Sequence, residues 1–240
     1  MRAPPTRIRL GPRLTPVVTW LIGINVATFL LYVFATAEVK AGLLRWLVLT
    51  PGALAAGEVW KLVTTIFFND EGVAFFLDIL VLWLFVPTLE RAWGRRRFLT
   101  FFAVTSLVGN LVAALFGVAF GPHAVPIIGM GPFIYGAIAA FGVEWAEQPV
   151  QFFGVIPMKG KTLAIGVSVV MLLAVALNGD WLHGAGYLGA IAAALVFAGW
   201  SPRVWLLRLR RARQKWRLRK YTVLRGGAGR RDGDKPRWMN

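Results

Sequence analysis

The chain of 240 residues contains no cysteine. That absence excludes disulfides, thiolate catalysis and cysteine-ligated zinc. Histidine is nearly as scarce, with only His123 and His183. Two imidazoles without a convergent third ligand make no metal site, and no cofactor motif is present. Serine occurs at Ser106, Ser168 and Ser201 alone. Only 16% of residues are charged, and the 11 acidic ones are outnumbered by 27 basic ones. No internal repeat is evident, nor a cleavable signal. The apolar run after Arg2, Arg7, Arg9 and Arg13 is too long for a signal core and lacks a small-residue cleavage site.

What the chain has is apolar surface. Hydrophobic residues make up 57% of it, and the mean hydropathy is +0.62. A soluble domain of this length cannot hide that much, so the bilayer is the solvent. The reading is an all-α integral membrane protein, a bundle of six transmembrane helices with an interfacial first loop and a basic cytoplasmic tail. The spans are expected at residues 15–36, 72–87, 98–120, 125–143, 162–177 and 181–200. The second is short and carries Asp78 near its middle. Residues 37–69 mix apolar residues with Glu38, Lys40, Arg45, Glu58 and Lys61, and read as a half-buried interfacial segment. Lys61 is one candidate partner for Asp78. Residues 90–98 read as a tight basic turn and residues 144–161 as a polar loop.

Residues 1–14 form a basic leader and residues 15–201 the membrane domain. The leader, the Arg91–Arg97 turn, Lys159 with Lys161, and the tail all carry positive charge. The positive-inside rule then puts both termini in the cytoplasm. The short loops and basic tail suit a bacterial cytoplasmic membrane. Residues 202–220 read as a basic amphipathic helix, with Trp205, Arg208, Arg211 and Trp216 against anionic lipid headgroups. Residues 221–240 read as disordered. The net charge of +16 belongs to the membrane surface rather than to nucleic acid, because it is concentrated beside the spans.

Chemistry is suggested by a glycine-rich stretch, GMGPFIYG at residues 129–136, and by His183 in the sixth span, followed by Gly186 and Ala190. Two further stretches accompany them: GEVWKLVTTIFFN at residues 57–69 and VLWLFVPTLERAWGRRRF at residues 81–98. In this order and spacing the chain resembles the rhomboid family of intramembrane serine proteases, over residues 15–200. The resemblance implies a fourth-span serine nucleophile, a sixth-span histidine base, and a His and Asn in the second span that hold the oxyanion. By register His183 takes the base position, and Tyr135 that of the aromatic packed on the base. Gly129, Gly136 and Gly186 keep the glycine framing.

The departures are chemical. The nucleophile position is Gly131, and the oxyanion positions are Ala74 and Asp78. Asn69 replaces a further histidine. Glycine has no nucleophile, an ionised carboxylate repels a developing oxyanion, and Pro132 removes a backbone N–H beside the site. The expectation is a rhomboid-like pseudoprotease that binds or regulates transmembrane clients, with Derlin-like members as the family's precedent for such use. Two alternatives remain. One is an intramembrane hydrolase using Asp78 and His183 as general acid and base. The other is a transport component, since intramembrane acids mark ion paths.

Overall fold

The structure, a computed structural model, describes residues 14–121, 123–152 and 156–199. The leader, the amphipathic helix with Trp205, Arg208, Arg211 and Trp216, and the terminal tail lie outside the described residues. The membrane part is helical. Helix α1 spans Pro16–Phe34. Proline at its first position lacks the N–H that a helix start leaves unpaired anyway. Its other free amides are met by Glu90, which accepts from Val17 N–H at 3.3 Å and Val18 N–H at 3.2 Å, and from the Thr15 hydroxyl. Glu90 is only 5% exposed, so a buried carboxylate carries the start of α1.

The first loop folds as α2 (Ala37–Leu47), α3 (Pro51–Ala55), α4 (Lys61–Thr64) and a 3-10 turn, Thr65–Phe67. Helix α2 buries none of its residues, as an interfacial helix should. The later part of the loop is packed: Leu49 and Phe68 are inaccessible or nearly so. Lys61 is buried and pairs with Glu58 at 2.5 Å. It is therefore not the partner of Asp78, because a carboxylate three residues away on the same turn reaches it first.

The second span is longer than its sequence suggests. Helix α5 (Gly72–Leu84) is followed by α6 (Val86–Trp93) after a break at Phe85. Pro87 sits in the first turn of α6, where it lacks the N–H to continue α5's ladder. Together they make a 22-residue apolar segment, so the expected shortness does not hold. The expected basic turn is also mostly helix. Gly94, at φ 78°, links α6 to α7 (Arg95–Phe120), and Arg95 to Arg97 form the first turn of α7.

The largest correction concerns the fourth span. Helix α8 is only Gly131–Glu144, 14 residues. That is about 21 Å, short of a hydrocarbon core of about 30 Å. Pro126 and the positive φ of Gly129 (87°) keep residues 125–130 out of a helix. This segment instead bridges back to the first loop, with Ile127 N–H donating to Leu49 O at 2.7 Å. Helix α8 is shielded from lipid by the others: Phe133, Ala137, Ala140 and Phe141 are fully buried.

The expected polar loop carries a short antiparallel hairpin, β1 (Pro149–Phe152) with β2 (Ile156–Lys159). Helices α9 (Gly160–Asn178) and α10 (Trp181–Gly199) complete the bundle. Among the described residues, five segments are long and apolar enough to cross a membrane: α1, α5 with α6, α7, α9 and α10. Helices α7 and α10 meet through small residues. A Cβ on Gly109 would lie 3.0 Å from Gly186 O, and one on Gly186 would lie 2.9 Å from Gly109 O. Backbones approach that closely only where both partners lack side chains.

Candidate functional site

Two ends of the bundle differ in charge. At one end Trp93 donates to Glu144 at 3.3 Å and Arg97 reaches Phe197 O at 3.5 Å. These contacts gather the ends of α6, α8 and α10 near the basic start of α7. At the other end a cavity of about 410 Å³ opens where the 125–130 segment enters α8. Asn69, Asp70 and Glu71 lie at its rim ahead of α5, and Ala74, Leu77 and Asp78 of α5 form one wall. Pro126, Ile128, Gly131 and Tyr135 form a second wall, and Asp180, His183 and Tyr187 a third.

The structure thus brings Gly131, His183, Ala74, Asp78 and Tyr135 into one cavity. Gly129 stands beside it. A Cβ there would lie 2.8 Å from Asn69 Oδ1 and 3.7 Å from Asp78 Oδ2. Gly136 and Gly186 do not join the cavity lining. Gly136 packs on Thr105 and Ala190 O, and Gly186 on α7, so both serve helix contact. Ser106 is buried on α7 and Ser168 lies on α9; neither lines the cavity.

The partners of the two ionisable groups are local. The Asp78 carboxylate faces the backbone amide of Met130, at the entry to α8. His183 Nδ1 lies 2.7 Å from Asp180 Oδ1. Asp180 also accepts from the His183 backbone N–H at 3.4 Å, capping the start of α10. Asp78 and His183 thus line one cavity, with the His183 imidazole engaged by Asp180.

Tyr187 is the residue that sequence reasoning missed. Its ring lies against Gly131: a Cβ at 131 would sit 2.8 Å from Tyr187 Cε1 and 3.1 Å from its hydroxyl oxygen. Tyr135 packs on Tyr187, with ring centroids 4.6 Å apart, rather than on His183 as expected. Tyr187 also stands between Tyr135 and the base, its centroid 6.3 Å from that of His183. A signal for it exists in the chain. Tyr187 is four residues beyond His183, so a helix places both on one face. Asp180 was legible on similar grounds, as an acidic cap three residues before His183.

The comparisons with known proteins bear on this arrangement. Residues 20–202 match the family described as "Eukaryotic integral membrane protein (DUF1751)". The chain belongs to the DUF1751 family. It is a rhomboid-like integral membrane protein. This DUF1751 member is also 29% identical, over 102 residues, to the "Putative rhomboid protease YdcA" of Bacillus subtilis (strain 168). That match covers 41% of the present chain and 49% of the relative, so about half of the relative's length is spanned. The family is described as eukaryotic and the relative is bacterial, so the expected bacterial location rests on the sequence reading alone.

Proposed function

We propose that this DUF1751 member is a pseudoprotease, holding transmembrane segments of client proteins without cutting them. One observation carries the reading. The nucleophile position is Gly131, and the Tyr187 ring occupies the space that a serine side chain would need. Among the described residues no serine lines the cavity, and the chain has no cysteine.

Client binding has a physical basis in the same cavity. A transmembrane segment that loosens in the bilayer exposes backbone N–H and C=O groups that hydrocarbon cannot satisfy. Asn69, Asp78, Tyr135 and His183 offer donors and acceptors there, at the edge of an apolar bundle. Under the positive-inside rule the basic end faces the cytoplasm and the cavity opens on the opposite side. Photocrosslinkers at Leu77, on the cavity wall, should recover intact membrane proteins, and the yield should fall in an Asp78→Leu background. Recovery of no membrane protein at any cavity position would sink the proposal.

The Asp180–His183 pair favours one other reading. A carboxylate-oriented imidazole facing a polar cavity has the arrangement of a general base, and water could replace the missing serine. In that case a client would be cut, and His183→Ala would stop the cutting.

A further inference from the structure

A second concavity lies on the lipid-facing side, remote from the polar cavity. It runs between α8, α9 and α10, encloses about 330 Å³ and starts at Lys161. Ala139 of α8 forms its floor, Ala164 and Leu172 of α9 one wall, and Leu195 of α10 the other. The Ser168 hydroxyl, halfway along, turns back to Ala164 O at 2.8 Å, so among the described residues the lining beyond Lys161 is apolar or internally paired.

Its dimensions select an occupant. From Lys161 to Leu172 an α-helix rises about 16 Å. A volume of 330 Å³ over that length leaves a cross-section of about 20 Å². The groove is open along its side to the bilayer, where hydrocarbon fills it, and its volume suits one chain.

Charge selects the headgroup. Lys161 Nζ lies 2.5 Å from one oxygen of Glu147, and Lys159 Nζ lies 3.1 Å from the other. Two ammonium groups share one carboxylate, so the Lys159–Lys161–Glu147 cluster is net positive. An anion is favoured there, and the adjacent apolar groove requires that it carry a long chain.

We infer that this groove binds one acyl chain of an anionic glycerophospholipid, with the lipid phosphate at Lys161 and Lys159. The inference is independent of the pseudoprotease reading. It is tested by native mass spectrometry of the full chain, released from bilayers of equal phosphatidylglycerol and phosphatidylcholine with matched chains. One retained lipid is expected, with phosphatidylglycerol favoured about fivefold, the weight of one cation at an anionic surface. Lys161→Gln should bring the two lipids near parity without loss of occupancy. Ser168→Phe should fill the groove and remove the retained lipid. Val170→Phe, on the exposed face of α9 outside the groove, should leave it in place. Equal retention in Ser168→Phe and Val170→Phe would overturn the inference. So would an unchanged lipid preference in Lys161→Gln, or a second copy of the chain lost with Ser168→Phe. Lys161 is half exposed at the start of α9, so its variant keeps the test valid should Ser168→Phe fail to fold.

Discussion

Restoring a serine at Gly131 should not simply rebuild a protease, and the structure gives the reason in ångströms. The first added atom, a Cβ, would lie 2.8 Å from Tyr187 Cε1 and 3.2 Å from Cζ. Ordinary carbon contacts begin near about 3.5 Å, so the ring must move by about half an ångström or more. Overfilling a packed site costs about 1–3 kcal/mol. The clash is with the end of the Tyr187 ring, which can swing toward the cavity, so the low end of that range applies. Gly131→Ser should therefore lower stability by about 1–2 kcal/mol. Part of that cost is the loss of the Tyr135–Tyr187 contact. In a Tyr187→Ala background the serine has room, and its penalty should vanish. The assay is a double-mutant cycle of equilibrium unfolding in mixed micelles. A coupling of about 1 kcal/mol or more is predicted between the two positions. Effects that add to within about 0.5 kcal/mol would refute the claim that Tyr187 occupies the nucleophile's space.

Three other outcomes follow from named contacts. Gly109→Ala places a methyl 2.5 Å from Pro132 Cβ and 3.0 Å from Gly186 O. Backbone cannot swing aside, so a loss of about 3 kcal/mol is expected, read by the same unfolding titration. Asp78→Leu removes the polar group that faces the Met130 amide and should cost about 1–3 kcal/mol, whereas Asp78→Asn keeps an acceptor there and should cost less. The ranking is read from thermal melts, and equal losses would show that the acceptor is unimportant. Glu147 is held below its ordinary value of 4.5, first by its hydrogen bond to Lys161 and then by Lys159. A lowered carboxyl value means the pairing contribution is complete above the unfolded value and is lost as pH falls through the folded one. Carboxyl carbon shifts of Glu147 should therefore titrate below pH 4.5 in the wild type and move up toward it in Lys161→Gln.

Much of the fold was legible because the bilayer imposes long apolar runs, and α1, α7, α9 and α10 lie close to where those runs are. The fourth span was misjudged for a definite reason. Residues 125–143 are apolar throughout, so hydropathy alone cannot separate α8 from the extended segment that feeds it. Pro126, Gly129 and Pro132 held the information, as breakers and as a helix start, and apolarity outweighed them. The break at Phe85 had a comparable signal in Pro87. The convergence of Gly131, His183, Ala74, Asp78 and Tyr135 was legible only through family resemblance, because no local pattern joins α5, α8 and α10. Side-chain partners were the least legible. Lys61 with Glu58, Asp78 with the Met130 amide, and Tyr187 against Gly131 each depend on distances of a few ångströms that spacing does not encode.

Absence of peptide-bond cleavage is the central claim, and the most direct test is a cleavage assay in reconstituted bilayers. The unmodified chain, His183→Ala, and Gly131→Ser combined with Tyr187→Ala would each meet a panel of labelled single-span substrates. The account predicts no product from the unmodified chain and none from His183→Ala. Product formed by the unmodified chain and abolished in His183→Ala would contradict it, and would make Asp180 and His183 a working base that uses water.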